Sequence, residues 1–205
     1  MDDKNLKEEL FKEIKRRGLL EQEEEDDTDD STDNTEDTDE GNDELYKLSS
    51  KTIKILTDRI KDEYTAHYFY RAATNWCRDK NYKKAAEFFQ KEAKDELKHA
   101  QKIQEYMTDF NIIPQIPQAP IDHKFDNLIE IVHGAYKMEL GLMKAYNKDS
   151  QDLFSEDITT FDFLTEFREI QKGAVVEYND LINGSQLVDT KDKFQVLYFE
   201  QTYFQ

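Results

Sequence analysis

Glu96 and His99, in the run Lys94-Asp95-Glu96-Leu97-Lys98-His99, set a carboxylate and an imidazole three residues apart. Residues at that spacing share one face of a helix, so the two side chains converge as metal ligands would. One such pair is common by chance. Three further polar residues, Glu63, Glu139 and Gln171, interrupt the apolar seams of three other helical segments. A buried carboxylate without a partner is costly, and a shared cation compensates several at once. Carboxylates with one imidazole suit iron, manganese or zinc better than a soft, thiolate-seeking metal. The set reads as a dinuclear site inside a four-helix bundle. Two cations can share Glu96 as a bridge, with Glu63 and His99 on one and Glu139 on the other, and the sparse ligation leaves positions for water and dioxygen. Tyr70, two turns beyond Glu63, is either a hydrogen-bond or electron donor to this site or a core tyrosine with a satisfied hydroxyl.

Positioning these groups requires an all-α architecture. Apolar residues stepping alternately by four and three predict helices over about 50–78, 82–110, 124–149 and 159–183, with Ser49-Ser50 as N-cap candidates. The seams run Ile53, Leu56, Ile60, Glu63, His67, Tyr70 in the first helix and Phe89, Glu92, Glu96, His99, Ile103, Tyr106 in the second. They continue through Val132, Ala135, Glu139, Leu142, Tyr146 in the third and Leu164, Phe167, Gln171, Ala174, Tyr178 in the fourth. A short fifth helix is expected over about 190–202. The link at Asp79-Lys80-Asn81 makes the first two helices an antiparallel hairpin, and the short link near residue 154 does the same for the last two. Within each hairpin the polar residues fall at one depth: Glu63 lies 17 residues before residue 80, and Glu96 lies 16 beyond it. Asn111 to His123 holds Pro114, Pro117 and Pro120, which cannot continue a helix. About 12 extended residues span ~40 Å, the length of a 27-residue helix at ~1.5 Å rise. The linker can therefore return along the bundle, a single long crossover between parallel second and third helices.

Ahead of the bundle, Leu6, Leu10 and Ile14 beside Phe11 mark a short amphipathic helix over 1–20, either a docking element or a helix too short to persist alone. Of the chain's 46 acidic residues, 15 fall in Glu21 to Glu44, a stretch with no basic, aliphatic or aromatic residue. The remainder carries only about −3 of the −18 net charge. Residues 21–48 are expected to be an acidic disordered linker, and 49–205 the folded domain. The acidic balance argues against nucleic-acid binding. One cysteine, Cys77, allows no internal disulfide. No apolar run approaches a membrane span, and the N-terminus carries neither an apolar signal core nor a basic transit peptide, so a cytoplasmic location is expected.

The chain resembles ferritins over about residues 50–202. It is most similar to the non-haem bacterial type in Leu56-Thr-Asp-Arg-Ile-Lys-Asp-Glu63-Tyr, in Trp76-Cys77, in Ala85-Ala86-Glu87-Phe88, in Thr160-Phe161-Asp162-Phe163-Leu164 and in Leu197-Tyr198-Phe199. The resemblance implies that Glu63, Glu96 and His99 form the first iron site of a ferroxidase centre and Glu96 with Glu139 the second. Gln171 and Tyr70 match the glutamine and tyrosine beside it. The implied activity is oxidation of Fe(II) by dioxygen or peroxide, followed by storage of ferric oxyhydroxide inside a homo-oligomeric, 24-subunit shell.

Departures from the family pattern carry their own expectations. Where many bacterial ferritins have further glutamates on the fourth helix, this chain has Ile170, Gly173 and Ala174, so a third iron site should be absent or weak. Gln171-Lys172-Gly173-Ala174 instead resembles the animal heavy-chain pattern. Of the cavity-facing acids on the second helix only Asp95 remains, beside Lys98 and Gln101, which puts mineral nucleation in doubt. His67 is a further ligand, a partner behind the ligands, or core, and Glu92 a possible extension of an iron path. No haem is expected, since Leu97 stands where bacterioferritin has its haem methionine, and Ile170 to Glu177 lacks the second Glu-x-x-His of bacterioferritin and rubrerythrin. The competing expectation is a catalytically weak scaffold subunit that recruits an unidentified protein partner through its N-terminal extension. The intact ligand set favours the enzyme. The extension is expected outside the shell.

Overall fold

A computed structural model describes residues 46–118 and 123–204. Among them are five helices and no strand: α1 Ser50–Asp79, α2 Lys83–Asp109, α3 Leu128–Leu153, α4 Ile158–Ser185 and α5 Lys193–Tyr203. The predicted helix over 1–20 and all of the predicted acidic linker except 46–48 lie outside the described residues.

Local chemistry fixes the helix ends. Ser49 Oγ accepts from the Thr52 backbone N–H at 3.0 Å, as the sequence predicts. Asn81 and Asn111 adopt φ of 63° and 60°, a left-handed conformation that asparagine tolerates better than most residues. Each closes a helix: the Tyr82 N–H returns to the Cys77 carbonyl at 2.9 Å and the Ile112 N–H to the Met107 carbonyl at 3.0 Å, the six-to-one bond of a Schellman end. The third helix departs from expectation. It runs from Leu128 to Leu153 rather than 124 to 149, because Asn127 Oδ1 accepts from the Glu130 N–H at 2.9 Å and starts the helix there. On α4 the buried seam passes through Val175, not Ala174, which is only partly buried.

Contacts between helix ends give the topology. Thr52 at the start of α1 donates to Asp157, the N-cap of α4, at 3.1 Å. Tyr106 near the end of α2 meets Thr160 at 2.9 Å and stacks on Phe163 with ring centroids 3.9 Å apart. At the other end Phe88 of α2 meets Tyr178 of α4, and Phe69 of α1 meets Phe125 just ahead of α3. The end of α2 and the start of α3 are thus at opposite ends of the bundle, so α2 and α3 run parallel and the proline-bearing segment is the crossover. Its residues 112–118 and 123–125 are non-helical.

α5 closes the end where α2 begins. Tyr82 supplies no side-chain cap to α2. The buried Glu200 of α5 does so from afar, accepting from the Lys84 and Ala85 N–H groups at 2.7 and 3.1 Å. A carboxylate there also complements the positive end of the helix dipole. Phe204 packs edge-on against Phe88 and Phe89. At the opposite end Leu48 is already buried in the core and the Tyr46 hydroxyl donates to Asp157 at 3.1 Å, so the last residues assigned to the linker belong to the bundle.

Candidate metal centre

The four long helices bring the polar seam residues together at mid-bundle. Glu63 and Glu139 are fully sealed from solvent, Gln171 and Glu96 nearly so. Glu63, Glu96 and His99 each offer a ligand atom, and the three atoms lie within 4.8 Å of one another. His99 Nδ1 is 3.0 Å from Glu96 Oε2 and 3.5 Å from Glu63 Oε2. Glu139 stands beside this triad. Its Oε1 accepts from the Tyr70 hydroxyl, and its Oε2 lies 2.8 Å from the Gln171 amide nitrogen once that amide is oriented to its surroundings. Amide orientation follows from the hydrogen-bond network, and here only an N–H facing Glu139 satisfies both side chains.

Burying this much negative charge has electrostatic consequences. Burial and then the neighbouring Glu63 charge push the Glu96 carboxyl well above its ordinary range. Burial also pushes Glu139 up to about 7, against the opposing effect of the Tyr70 hydrogen bond and with help from Glu63. Burial acts the same way on Glu63, but the neighbouring His99 and Glu96 side chains and the Tyr146 hydroxyl outweigh it and hold Glu63 below the carboxylate norm. For His99, burial is outweighed by the nearby Glu63 carboxylate, and its value rises. Without a cation the centre therefore retains protons among Glu96, Glu139 and His99. A cation held here would displace those protons, so its affinity would rise with pH.

All six residues singled out in the sequence meet here. Tyr70 is wholly buried, stacked between Phe89 and Tyr178 at centroid distances of 6.0 and 6.3 Å, and acts as a hydrogen-bond donor to Glu139. His67 does not join the triad. Its Nδ1 donates to the Ala93 carbonyl, which ties α1 to α2 one turn from the site. Glu92 is half-buried, and burial together with the Glu177 charge raises it to about 7. Two further residues, which the sequence marks only as a seam tyrosine and an arginine beside the seam, support the centre. Tyr146 donates to Glu63 Oε1, and Arg59 sits behind it at 5.7 Å from the ring centroid. The signal for Tyr146 was present, since it follows Glu139 by the same seven residues that separate Tyr70 from Glu63.

The ferritin-like domain model of the ferritin family matches residues 53–187, which takes in every residue of the centre. The chain belongs to the ferritin family. Among its relatives are bacterial non-heme ferritins. It is 26% identical to that of Escherichia coli O6:H1 over 120 residues, covering 57% of this chain and 72% of the relative. It is 28% identical to that of Staphylococcus aureus USA300 over 128 residues, covering 60% and 76%. In structure this ferritin is similar to an open-pore ferritin from the hyperthermophilic archaeon Archaeoglobus fulgidus, with a TM-score of 0.67 at 18% identity over 76% of this chain and 97% of that one. It is equally similar to Chlorobium tepidum ferritin, with a TM-score of 0.67 at 20% identity over 75% and 95%. At those identities the solved structures bear on the fold. Among the described residues of this ferritin no helix is long and apolar enough to cross a membrane.

Proposed function

We propose that this ferritin is a ferroxidase that takes Fe(II) as substrate, oxidises it to Fe(III) with dioxygen or peroxide as electron acceptor, and stores the product as ferric oxyhydroxide within a 24-subunit shell. The observation that carries this reading is the buried Glu63, Glu96 and His99 triad with ligand atoms within 4.8 Å, next to Glu139 and Gln171. Glu63 and His99 would hold one ferrous ion, Glu139 the second, and Glu96 would bridge them. Gln171 would steady the second position. The protein's part is geometry and charge. Each Fe(II) gives up one electron, two reduce dioxygen to hydrogen peroxide with uptake of two protons, and the buried carboxylates favour the higher charge of Fe(III). The bundle interior keeps bulk water from the open positions.

A shell is supported by an apolar patch around α5. Leu187, Phe194, Leu197 and Tyr198 are all exposed on the single chain, and a concentration of this kind marks a protein contact surface. The scaffold reading draws on α2, where Lys98 and Gln101 are exposed beside Asp95, but it leaves the cost of the buried carboxylates without a purpose.

The test is an anaerobic Fe(II) titration of metal-free protein, then admission of oxygen, with size-exclusion chromatography before and after. Wild type should saturate near about two Fe(II) per chain, oxidise them rapidly and carry the iron in a large assembly. Glu96→Ala and His99→Ala should assemble yet oxidise Fe(II) no faster than buffer. Wild-type rates in both variants would end the ferroxidase reading, and a large shell that neither binds nor oxidises iron would establish the scaffold.

A further inference from the structure

We propose that Tyr146 is a positioning residue for Glu63, the second half of a reciprocal pair of tyrosine clamps between α1 and α3, and that Arg59 holds it in place. This rests on the metal-centre reading above and adds how that centre presents its first carboxylate.

The pairing follows from sequence spacing and helix direction. α1 carries Glu63 and Tyr70; α3 carries Glu139 and Tyr146, at the same seven-residue separation. The two helices are antiparallel, so the tyrosine of each falls level with the glutamate of the other. The structure shows both crossed bonds, Tyr70 to Glu139 and Tyr146 to Glu63.

Tyr146 is itself held on several sides. It is fully buried and stacks on Phe167 with centroids 5.4 Å apart and rings inclined by 19°. Phe167 in turn meets the His99 ring edge-on at 5.9 Å, so one aromatic stack supports both Glu63 and His99. The Arg59 guanidinium lies against the Tyr146 ring and forms ion pairs with Asp149 at 3.3 Å and Asp62 at 3.0 Å. Arg59 is one turn before Glu63 on the same helix. Buried arginine is uncommon unless paired, and here its pairing aims the cation at the tyrosine.

The consequence falls on the two oxygens of Glu63. Tyr146 engages Oε1. Oε2 is buried without a hydrogen-bond partner, 3.5 Å from His99 Nδ1. Glu63 thus presents a single free oxygen toward the triad and would bind a cation through Oε2 alone. Without the clamp, Oε1 is released and the carboxylate can rotate or chelate with both oxygens. Groups that orient a metal ligand in this way typically change metal affinity by about 10–100-fold when removed.

The experiment uses Co(II) alone as the probe on the full chain, because air does not oxidise it and its visible bands weaken as coordination number rises. Tyr146→Phe removes only the hydroxyl. The first Co(II) should bind about 10-fold or more weakly than in wild type, with a loss of visible absorbance per bound ion. Arg59→Gln should move both readouts the same way by a smaller amount. Wild-type affinity and spectrum in Tyr146→Phe would overturn the clamp while leaving the metal centre standing; failure of wild type to bind Co(II) would overturn the centre itself, and the clamp with it. A measurement on unmodified protein keeps the question open to refutation if the variant does not fold. Its infrared difference spectrum on Co(II) addition, with the Glu63 bands identified by their loss in Glu63→Gln, should show the wide carboxylate splitting of one-oxygen ligation. A narrow, two-oxygen splitting would refute the proposal.

Discussion

Replacing Glu139 by glutamine should make the metal-free protein more stable while weakening its second cation position. Burial, opposed by the Tyr70 hydrogen bond and reinforced by the Glu63 charge, raises the Glu139 carboxyl from 4.5 to about 7. A carboxyl raised in the native state binds its proton more tightly there than in the unfolded chain. Its stabilising contribution is complete below the unfolded value, is lost as pH climbs towards about 7, and stays lost above. The interval from 4.5 to about 7 corresponds to about 3 kcal/mol at ~1.4 kcal/mol per pH unit. Glutamine has no proton to lose and nearly the same shape. Its oxygen can still accept from Tyr70, and its amide can donate to Gln171 once that side chain turns its own oxygen inward.

The difference between Glu139→Gln and wild type should therefore be near zero around pH 4.5 and grow to about 3 kcal/mol by pH 8, about 6–12 °C in Tm for a chain of this size. The assay is thermal unfolding followed by circular dichroism in a chelator across that range, repeated with Co(II). With metal the order reverses at the second equivalent: wild type gains from both cations, the variant chiefly from the first, at Glu63, Glu96 and His99. A stability gap that fails to widen between pH 4.5 and 7, or a variant less stable than metal-free wild type at pH 8, would refute the reasoning.

Two further outcomes test the frame around the centre. Asp157 accepts from the Thr160 N–H and hydroxyl at 2.9 and 2.7 Å and from Thr52 and Tyr46 at 3.1 Å each; Asp157→Ala removes the α4 cap and the charged acceptor of the buried Thr52 and Thr160 hydroxyls, which keep only Ser49 and Tyr106, so urea unfolding should show a loss of about 2–4 kcal/mol. Burial raises the Asp157 carboxyl, but the Thr160, Thr52 and Tyr46 bonds outweigh it and lower it overall, so its contribution is present above the ordinary value of 3.8 and fades only as pH falls through the lower native one; a gap between variant and wild type that shrank already at pH 6 would contradict this. At Gly184 an added Cβ would sit 2.4 to 2.8 Å from three atoms of the Tyr203 ring, so Gly184→Ala should displace the end of α5, cost about 1–3 kcal/mol and open α5 to proteolysis, whereas unchanged protease resistance would show that the ring simply steps aside.

Much of the fold was legible because each signal was local. The three-four seams, Ser49, the short links and the three prolines act through neighbouring residues, and they gave four helices, two hairpins and one crossover. The departures have both local and distant causes. The pattern points to an earlier start of α3 because Phe125 lies three residues ahead of Leu128, whereas the Asn127 side chain caps the Glu130 N–H and starts the helix at Leu128. On α4 strict four-three alternation points to Ala174, but the buried positions step four from Gln171 to Val175 and then three to Tyr178. α2 begins without a cap of its own, and only the tertiary arrival of Glu200 shows what satisfies Lys84 and Ala85.

The centre shows the same division at finer scale. Glu63, Glu96, His99, Glu139 and Gln171 could be found because a polar residue in an apolar seam is an energetic exception that composition alone exposes. The role of Tyr146 is hidden for the opposite reason: a tyrosine in a core seam is ordinary, and nothing at its own position says that its hydroxyl has a task. Arg59 lies beside the seam, where an arginine is expected to reach solvent, and only the placement of Asp149 on α3 explains why it does not. Both roles come from the register between α1 and α3, which are separated in sequence by the whole of α2 and the crossover. The two seven-residue Glu-to-Tyr spacings become meaningful only once these helices are known to be antiparallel, and that direction follows from the crossover. A shift of the α3 register by one turn would leave every ligand on its helix and the overall fold intact, yet it would part Tyr146 from Glu63 and Tyr70 from Glu139 together. The crossover and the Asn127 cap, remote from the metal centre in sequence, are therefore part of what sets the orientation of its carboxylates.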